Sequence, residues 1–286
     1  RAADGALAWR FPAEESGIEP SDIKLVMHGT TVATNAVLTG RGAKVGLVTT
    51  RGYRQVLQVA RSFCPGGLGG WVSYVKAPLM APLELTIEAD ERLDASGKVI
   101  KPLDEKQLEA DLKALKDKGE VEALTICLLN SYVNGVHEAK ARDIAEKVFG
   151  DIPISISSEV VPEMQEYERT ETTVVNSYVR PQVSRYVANL QSSLEERLRD
   201  DVALAILRSD GGLASARAAG ESPVNLLLSG PAGGVAGAIY FCQRGGFNPI
   251  YPGQIAVVRY APVSKPCAAW IRAALSRHDL PRPSTP

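Results

Sequence analysis

Val121-Glu122-Ala123-Leu124-Thr125-Ile126-Cys127-Leu128-Leu129 decides the fold class. It is an almost unbroken apolar run of strand length, the pattern of a strand buried on both faces. A helical pattern follows from His137 to Phe149, and then a second strand-like stretch, Ile152 to Ser157. Strand, helix and strand in that order make a βαβ unit. The chain is therefore expected to be α/β, a mostly parallel sheet with helices on both faces.

The same alternation extends outward on both sides. Upstream, Leu103-Asp104 opens a helix to about Lys118, with Leu108, Leu112 and Leu115 on one face and Gly119 at its end. Leu83 to Leu93 alternates as a strand, and Asp94-Ala95-Ser96-Gly97 turns it into Lys98 to Lys101 as a β-hairpin. Arg61 to Pro82 is rich in glycine and proline and reads as one long loop. Before it lie the strand Ala43 to Thr49 and a helical spacing in Tyr53 to Ala60. Nearest the N-terminus, the strand Ile23 to Met27 runs into a helix from Thr31 to Leu38 that Gly40 and Gly42 terminate.

Downstream, a long helical region from about Glu163 to Arg199 is expected to be interrupted near Pro181. Val202 to Leu207 returns to strand and leaves through the polar loop Ser209-Asp210-Gly211-Gly212. After Phe247, frequent prolines leave only Ala268 to Leu275 with a helical pattern, and Leu280 to Pro286 is expected to be disordered.

Composition narrows the function classes. With 286 residues, 45% hydrophobic and 23% charged, the chain can bury a sizeable core. A net charge of −1 makes no electrostatic case for a nucleic-acid or membrane-surface partner. No apolar run approaches the roughly 20 residues that cross a bilayer, and no leader pattern opens the chain, so a cytoplasmic location is expected. The widely spaced Cys64, Cys127, Cys242 and Cys267 show no metal-ligand spacing and read as reduced thiols. Metal ligands stay unassigned. The chain begins with Arg1 rather than Met, which suggests a processed, cloned or fragmentary product.

Three segments carry candidate chemistry. His28-Gly29-Thr30-Thr31 stands where a strand ends and a helix begins, the place where open α/β sheets gather ligands. Thr30, Thr31 and nearby amides can hold a phosphate or orient a water, and His28 can move a proton; alternatively, Thr30 caps the helix and His28 is a satisfied structural imidazole. Asp210 in Ser209-Asp210-Gly211-Gly212 can position water or hold Mg²⁺ through solvent. It can equally bond its own backbone in a turn where Gly211 or Gly212 takes positive φ. Leu227-Leu228-Ser229-Gly230-Pro231-Ala232-Gly233-Gly234-Val235-Ala236-Gly237-Ala238 starts a helix whose bare amides can receive phosphate. Its small residues also suit tight helix packing, with Pro231 at the first helical position. Glu166-Tyr167-Glu168-Arg169-Thr170 reads as an exposed, salt-bridged helix face. There is no nucleophilic triad spacing and no Walker-type loop.

Taken together, HGTTVATNAVL (His28 to Leu38), GLVTTRGY (Gly46 to Tyr53), SSEVVPEMQEYERTETTVVNSY (Ser157 to Tyr178), SDGGL (Ser209 to Leu213) and LLSGPAGGVAGA (Leu227 to Ala238) resemble the hydantoinase A/5-oxoprolinase family. The resemblance spans about Asp22 to Asn248. It implies the fold of the actin, sugar-kinase and heat-shock-chaperone ATPases, and an ATP- and Mg²⁺-dependent hydrolysis of a small cyclic amide, hydantoin or 5-oxoproline, through a phosphorylated intermediate. Related members are ATP-dependent carboxylase subunits, and a non-catalytic folding or partner-binding module is the third reading. A second, hydantoinase B-like subunit is an implied partner. The implied site comprises His28 and Asp210 as catalytic groups, with Thr30, Thr31, Asn35, Gly211, Gly212, Gly230, Gly233 and Gly234 around the nucleotide. Trp71 and Tyr74 in the long loop can cover a substrate ring or pack on a partner.

The resemblance also divides the chain into an N-terminal family region at 1–158, the start of the core region at 159–248, and an atypical tail at 249–286. The family's two Asp-x-Gly-Gly-Thr phosphate loops do not occur; one is expected before Arg1 and the other shortly after Phe247. These departures suggest a truncated or frameshifted product that is inactive alone and binds ATP poorly. Limited proteolysis is expected to trim residues 251–286 first, since they offer no amphipathic stripe to bury; a protease-resistant tail with Trp270 and Ile271 buried would contradict this.

Overall fold

A computed structural model describes residues 23–62, 69, 77–198 and 202–233. The expectations for the tail, for Trp71, Tyr74 and Gly234, and for Cys64, Cys242 and Cys267 lie outside the described residues. The first elements in chain order are β1 (Leu25–His28), α1 (Val32–Thr39), β2 (Val45–Thr50), α2 (Val56–Val59), β3 (Thr86–Ala89), β4 (Arg92–Leu93) and β5 (Val99–Lys101). There follow α3 (Glu105–Asp117), β6 (Ala123–Cys127), α4 (Val136–Phe149), β7 (Ile154–Ile156) and α5 (Ser157–Val160). The last are α6 (Glu166–Arg197), β8 (Ala203–Leu207), β9 (Leu213–Ser215) and α7 (Ala216–Glu221), then a 3-10 turn at Pro223–Leu226.

The described residues form two compact units, one of residues up to Gly42 with Val179–Gly233, the other of Ala43–Tyr178. The second is the βαβ arrangement expected from the Val121–Leu129 run. Its sheet has the order β3-β2-β6-β7, and every pairing is parallel. Leu124 and Ile126 of β6 pack with Leu108, Leu112 and Leu115 of α3 and with Ile144 and Val148 of α4. Asp104 caps α3 by accepting from Gln107 N at 3.0 Å, which satisfies one of the orphan amides of the first turn. A Cβ at Gly46 would meet Leu124, Val121 and Leu115 side chains at 3.0–3.3 Å, so α3 seats closely on β2 only because that position is glycine.

The other face of β6 is polar and meets α6. Thr125 Oγ1 donates to Ser177 Oγ at 2.7 Å, Ser177 Oγ donates to the Leu124 carbonyl at 3.2 Å, and Asn176 donates to Ser155 Oγ at 3.1 Å. Cys127 lies in this interface as a free, buried thiol whose pKa burial pushes up. Beside it the segment Glu166–Thr170 corrects an expectation. Glu168 does pair with Arg61 on the surface, but Arg169 is 1% exposed and Thr170 is equally buried. The Arg169 guanidinium donates to the Leu128 carbonyl at 2.9 Å, the Glu163 carbonyl at 3.0 Å and Ser157 Oγ at 3.2 Å, and stacks over Tyr132. Ser157 Oγ in turn donates to Glu138, which also accepts from Leu128 N and Ser158 N at 2.8 Å. Helical charge patterning reports solvent faces, and it misses a cation whose partners are carbonyls at strand ends.

Two further expectations are corrected. Pro181 does not interrupt α6, which runs through it. Proline removes one helical hydrogen bond, and burial of Val179, Val183 and Val187 on either side holds the helix together. Leu83 to Leu93 is not one strand: Leu83–Leu85 forms a 3-10 turn before β3, and the chain breaks again before β4. The expected hairpin is β4–β5, with Asp94 accepting from Ser96 N, Ser96 Oγ and Lys98 N in its turn, contacts that hold the carboxyl below its ordinary pKa.

In the other unit β1 and β8 pair in parallel from Leu25↔Ala203 to His28↔Ile206, and β9 adds antiparallel to β8. Sequence reading anticipated β1 and β8 but not β9, whose three residues carry no periodicity. α1 ends at Gly40 in the left-handed region (φ 67°), as expected of a helix-terminating glycine.

Arg169→Ala is expected to lower the unfolding free energy by ~3 kcal/mol, since it leaves the buried Leu128 carbonyl without its side-chain donor and the buried Glu138 carboxylate, linked to the guanidinium through Ser157, without a nearby counter-charge. Urea unfolding measures this; a loss below ~1 kcal/mol would show that the guanidinium is dispensable to the fold.

Candidate functional site

The strand ends of the first unit bring together most of the predicted residues. His28 closes β1, half-buried, with Nε2 2.7 Å from the Tyr186 hydroxyl on α6. Burial holds its pKa below the ordinary histidine value, which keeps the ring neutral at pH 7. Thr30 is buried, and its Oγ1 accepts from Val32 N at 3.2 Å. The N-cap position of α1 belongs to Thr31, not to Thr30 as expected, and no side chain caps the helix from that position. Thr31 is exposed, and its Oγ1 accepts from the exposed Asn35 carboxamide at 3.3 Å.

Asp210 stands at the tip of the β8–β9 hairpin. Its Oδ1 accepts from Gly212 N at 2.9 Å and its Oδ2 pairs with Arg208 at 3.0 Å. Gly211 takes φ 81°. This is the self-bonded Asx turn that the residues allowed as one reading. The carboxylate is 45% exposed, so solvent still reaches it. Ser209 fixes the hairpin's base, its N and Oγ both donating to the Asn225 carbonyl at 2.7 and 2.5 Å.

The third segment enters a helical stretch at 229–233 after Leu228, a non-glycine residue at φ 63°. Pro231 is its third residue and not its first, still within the turn where a missing N–H costs nothing. Ser229 Oγ donates to the Thr30 carbonyl at 3.1 Å, and Leu228 N donates to Thr34 Oγ1 at 3.2 Å. Gly230 is exposed beside Thr31, whose methyl is 3.8 Å from where a Cβ would stand. A Cβ at Gly233 would collide with Leu207.

Thr30, Thr31, Gly230 and Gly233 are thus tied into one assembly, while Asn35 bonds to Thr31, and Asp210, Gly211 and Gly212 follow the neighbouring strand. The residues that make the assembly, Tyr186, Thr34, Ser229 and Asn225, escaped sequence reasoning. Only Ser229 carried a signal, as the polar residue inside an apolar-to-glycine run. Among the described residues no group of three or more His, Cys, Asp or Glu comes together to hold a metal, and no helix is long and apolar enough to cross a membrane.

Parallel strands ending in a hydroxyl- and glycine-rich edge define an α/β protein, the fold class in which ligands gather beyond the carboxyl ends of the strands. Family models assign the class more narrowly: residues 10–149 match the hydantoinase/oxoprolinase N-terminal region, and residues 169–251 match hydantoinase/oxoprolinase. The chain belongs to the hydantoinase/oxoprolinase family. It is 31% identical to the caprolactamase subunit alpha of Pseudomonas jessenii, over 86% of this chain and 36% of that one. It is 32% identical to 5-oxoprolinase 1 of Arabidopsis thaliana, over 78% of this chain and 18% of that one. The solved ATP-dependent caprolactamase of Pseudomonas jessenii superposes with a TM-score of 0.73 at 30% identity, covering 82% of this chain and 34% of that chain. A nucleotide-free acetone carboxylase superposes with a TM-score of 0.68 at 26% identity, covering 77% and 32%. The chain therefore spans about a third or less of these relatives.

The His28 ring is expected to titrate below the ordinary value of about 6.5. The unfolded chain then binds a proton that the folded unit resists, so stability is unaffected above that value and falls as pH drops through the window beneath it. NMR titration of the ring reads the midpoint directly. Tyr186→Phe should leave it depressed, because burial and not the hydroxyl is the cause; a midpoint at or above 6.5 would overturn the assignment.

Proposed function

We propose that this chain forms part of an ATP-dependent enzyme that opens a small cyclic amide of the hydantoin or 5-oxoproline type, acting with a hydantoinase B-like second subunit in the cytoplasm. Gly230 is the observation that carries the reading. Neither a positive φ nor a crowding neighbour requires glycine there, since the nearest atom to its absent Cβ is 3.8 Å away. An exposed glycine without a packing reason, in the first turn of a helical stretch beside Thr31, suits close approach of a ligand to bare backbone.

ATP, when bound, supplies the phosphoryl group that activates the amide. This chain's residues fit a phosphate at Gly230, which presents open backbone beside the exposed Thr31 hydroxyl and Asn35 carboxamide, while the amides of Gly211 and Gly212 are held within their own turn, by the Arg208 carbonyl and Asp210 Oδ1. Gly233 and the adjoining Gly234 extend the same small-residue run. Thr30 positions this edge from below through its carbonyl and hydroxyl. Asp210 orients water or holds Mg²⁺ through solvent, after the exposed Arg208 contact yields. The neutral His28 ring can accept a proton, with the Tyr186 hydroxyl at Nε2 fixing the ring's orientation. The likeness to caprolactamase and 5-oxoprolinase supports ring opening, and the likeness to acetone carboxylase supports a second reading, ATP-dependent carboxylation. A non-catalytic partner-binding role is the remaining alternative.

In the enzyme assembled with its second subunit, Asp210→Asn is expected to lower ATP-coupled ring opening by about 100-fold. Asn preserves the bond from Gly212 N, and the lost surface pair with Arg208 is worth at most ~1 kcal/mol, so melting should barely move. Full activity with wild-type melting would make Asp210 a turn residue and remove it from the site.

A further inference from the structure

Among the described residues, the sheet of the first unit is covered on one face and open on the other. On the covered face Ile206 is buried and His28 meets Tyr186 of α6. Side chains alternate along a strand, so the registers of β1, β8 and β9 place Leu25, Met27, Ala203, Ala205, Leu207 and Leu213 together on the opposite face. Leu25 is 50% exposed, Met27 67% and Leu213 48%, and Ala203 is exposed beside them. Ser215 is the one polar residue paired on this side. A contiguous exposed apolar face of this kind marks a contact surface.

The position of Gly233 identifies the occupant. The helical stretch at 229–233 brings Gly233 so near Leu207 that a Cβ would collide with the leucine side chain. The described residues therefore end against the Leu207 corner of the open face. The sequence that follows is Gly234-Val235-Ala236-Gly237-Ala238-Ile239-Tyr240-Phe241-Cys242, and no residue from 229 to 242 is charged. A helical sequence without a polar face belongs in a buried position. Helical spacing from Gly233 puts Ala236 and Gly237, then Tyr240 and Phe241, on the side that meets Leu207. The small pair lets the close approach begun at Gly233 continue. The two rings follow about 10–12 Å further on at 1.5 Å per residue, and along β8 the small Ala205 and Ala203 lie roughly 7 and 13 Å from Leu207.

We propose that residues 234–242 continue the helical stretch back along β8 and cover this face, with Tyr240 and Phe241 seated over Ala203 and Ala205 beside Leu25 and Met27. The occupant is thus a segment of this chain and not a second copy. Large rings over alanines fill the space that the sheet leaves, as close packing requires. The contact rests on the strand registers and on Gly233, and it does not depend on the ATP reading.

Methionine oxidation tests this in the full chain, which has three methionines, Met27, Met80 and Met164. Without a cover, Met27 at 67% exposure and Met164 at 66% would react with hydrogen peroxide at similar rates. The proposed cover should slow Met27 at least about tenfold relative to Met164, at every protein concentration. Tyr240→Asp should unseat the segment and return Met27 to the Met164 rate, and the milder Phe241→Ala should return it in part. The depressed midpoint of the His28 ring checks that the first unit stays folded in each variant. Equal rates in the unaltered chain would overturn the proposal. So would protection that fades on dilution, as a second copy would give, or protection that survives both substitutions, as a different cover would give.

Discussion

The parallel pairing of β1 with β8 is the constraint on which the candidate site depends, because the two strands are separated in the chain by the whole of the second unit. Their pairing sets His28 beside Ile206 and so puts the Thr30 turn next to the Asp210 hairpin. The contact from Ser229 Oγ to the Thr30 carbonyl then closes the assembly across 199 positions of sequence. Loop closure over such a distance is tolerable, since each doubling of a flexible loop adds only about 0.6 kcal/mol. Here the intervening chain is itself folded, and its two ends meet where Ala43 N donates to the Tyr178 carbonyl at 2.9 Å. Folding of the second unit therefore brings the ends of its chain together, which removes much of the entropic obstacle to pairing β1 with β8.

The second unit is organised by a different device. Its apolar face is covered by α3 and α4 through leucines and isoleucines, while α6 binds the opposite face through hydroxyls, an amide and one guanidinium. Arg169 and Glu138 share Ser157 as an intermediary, and a second buried pair, His137 with Glu91, stands with Thr50 and Leu129 N at the same strand ends. Buried charges contribute little net stability against apolar replacements, but they tolerate few alternative registers because every partner must be met. The polar face thus specifies where α6 lies on the sheet.

The sequence by itself determined the α/β class, because a buried parallel strand cannot alternate and Val121 to Leu129 does not. It also determined α1, α3, α4 and the β4–β5 hairpin, whose caps, leucine spacing and turn residues act locally, and it singled out the three segments that meet at the strand ends. Tertiary structure alone decided that Arg169 is a core cation, that Pro181 sits within an unbroken helix, and that Asp210 divides its oxygens between Gly212 and Arg208. It also selected Tyr186 as the partner of His28. For Arg169 and His28 the deciding energy comes from groups far away in sequence, a carbonyl at a strand end and a ring on α6; for Pro181 it comes from burial of the valines around it, and for Asp210 from the hairpin that sets Arg208 and Gly212 within reach. Local propensity reports what a residue prefers against solvent, and it carries no information about which distant polar atom will be brought within reach.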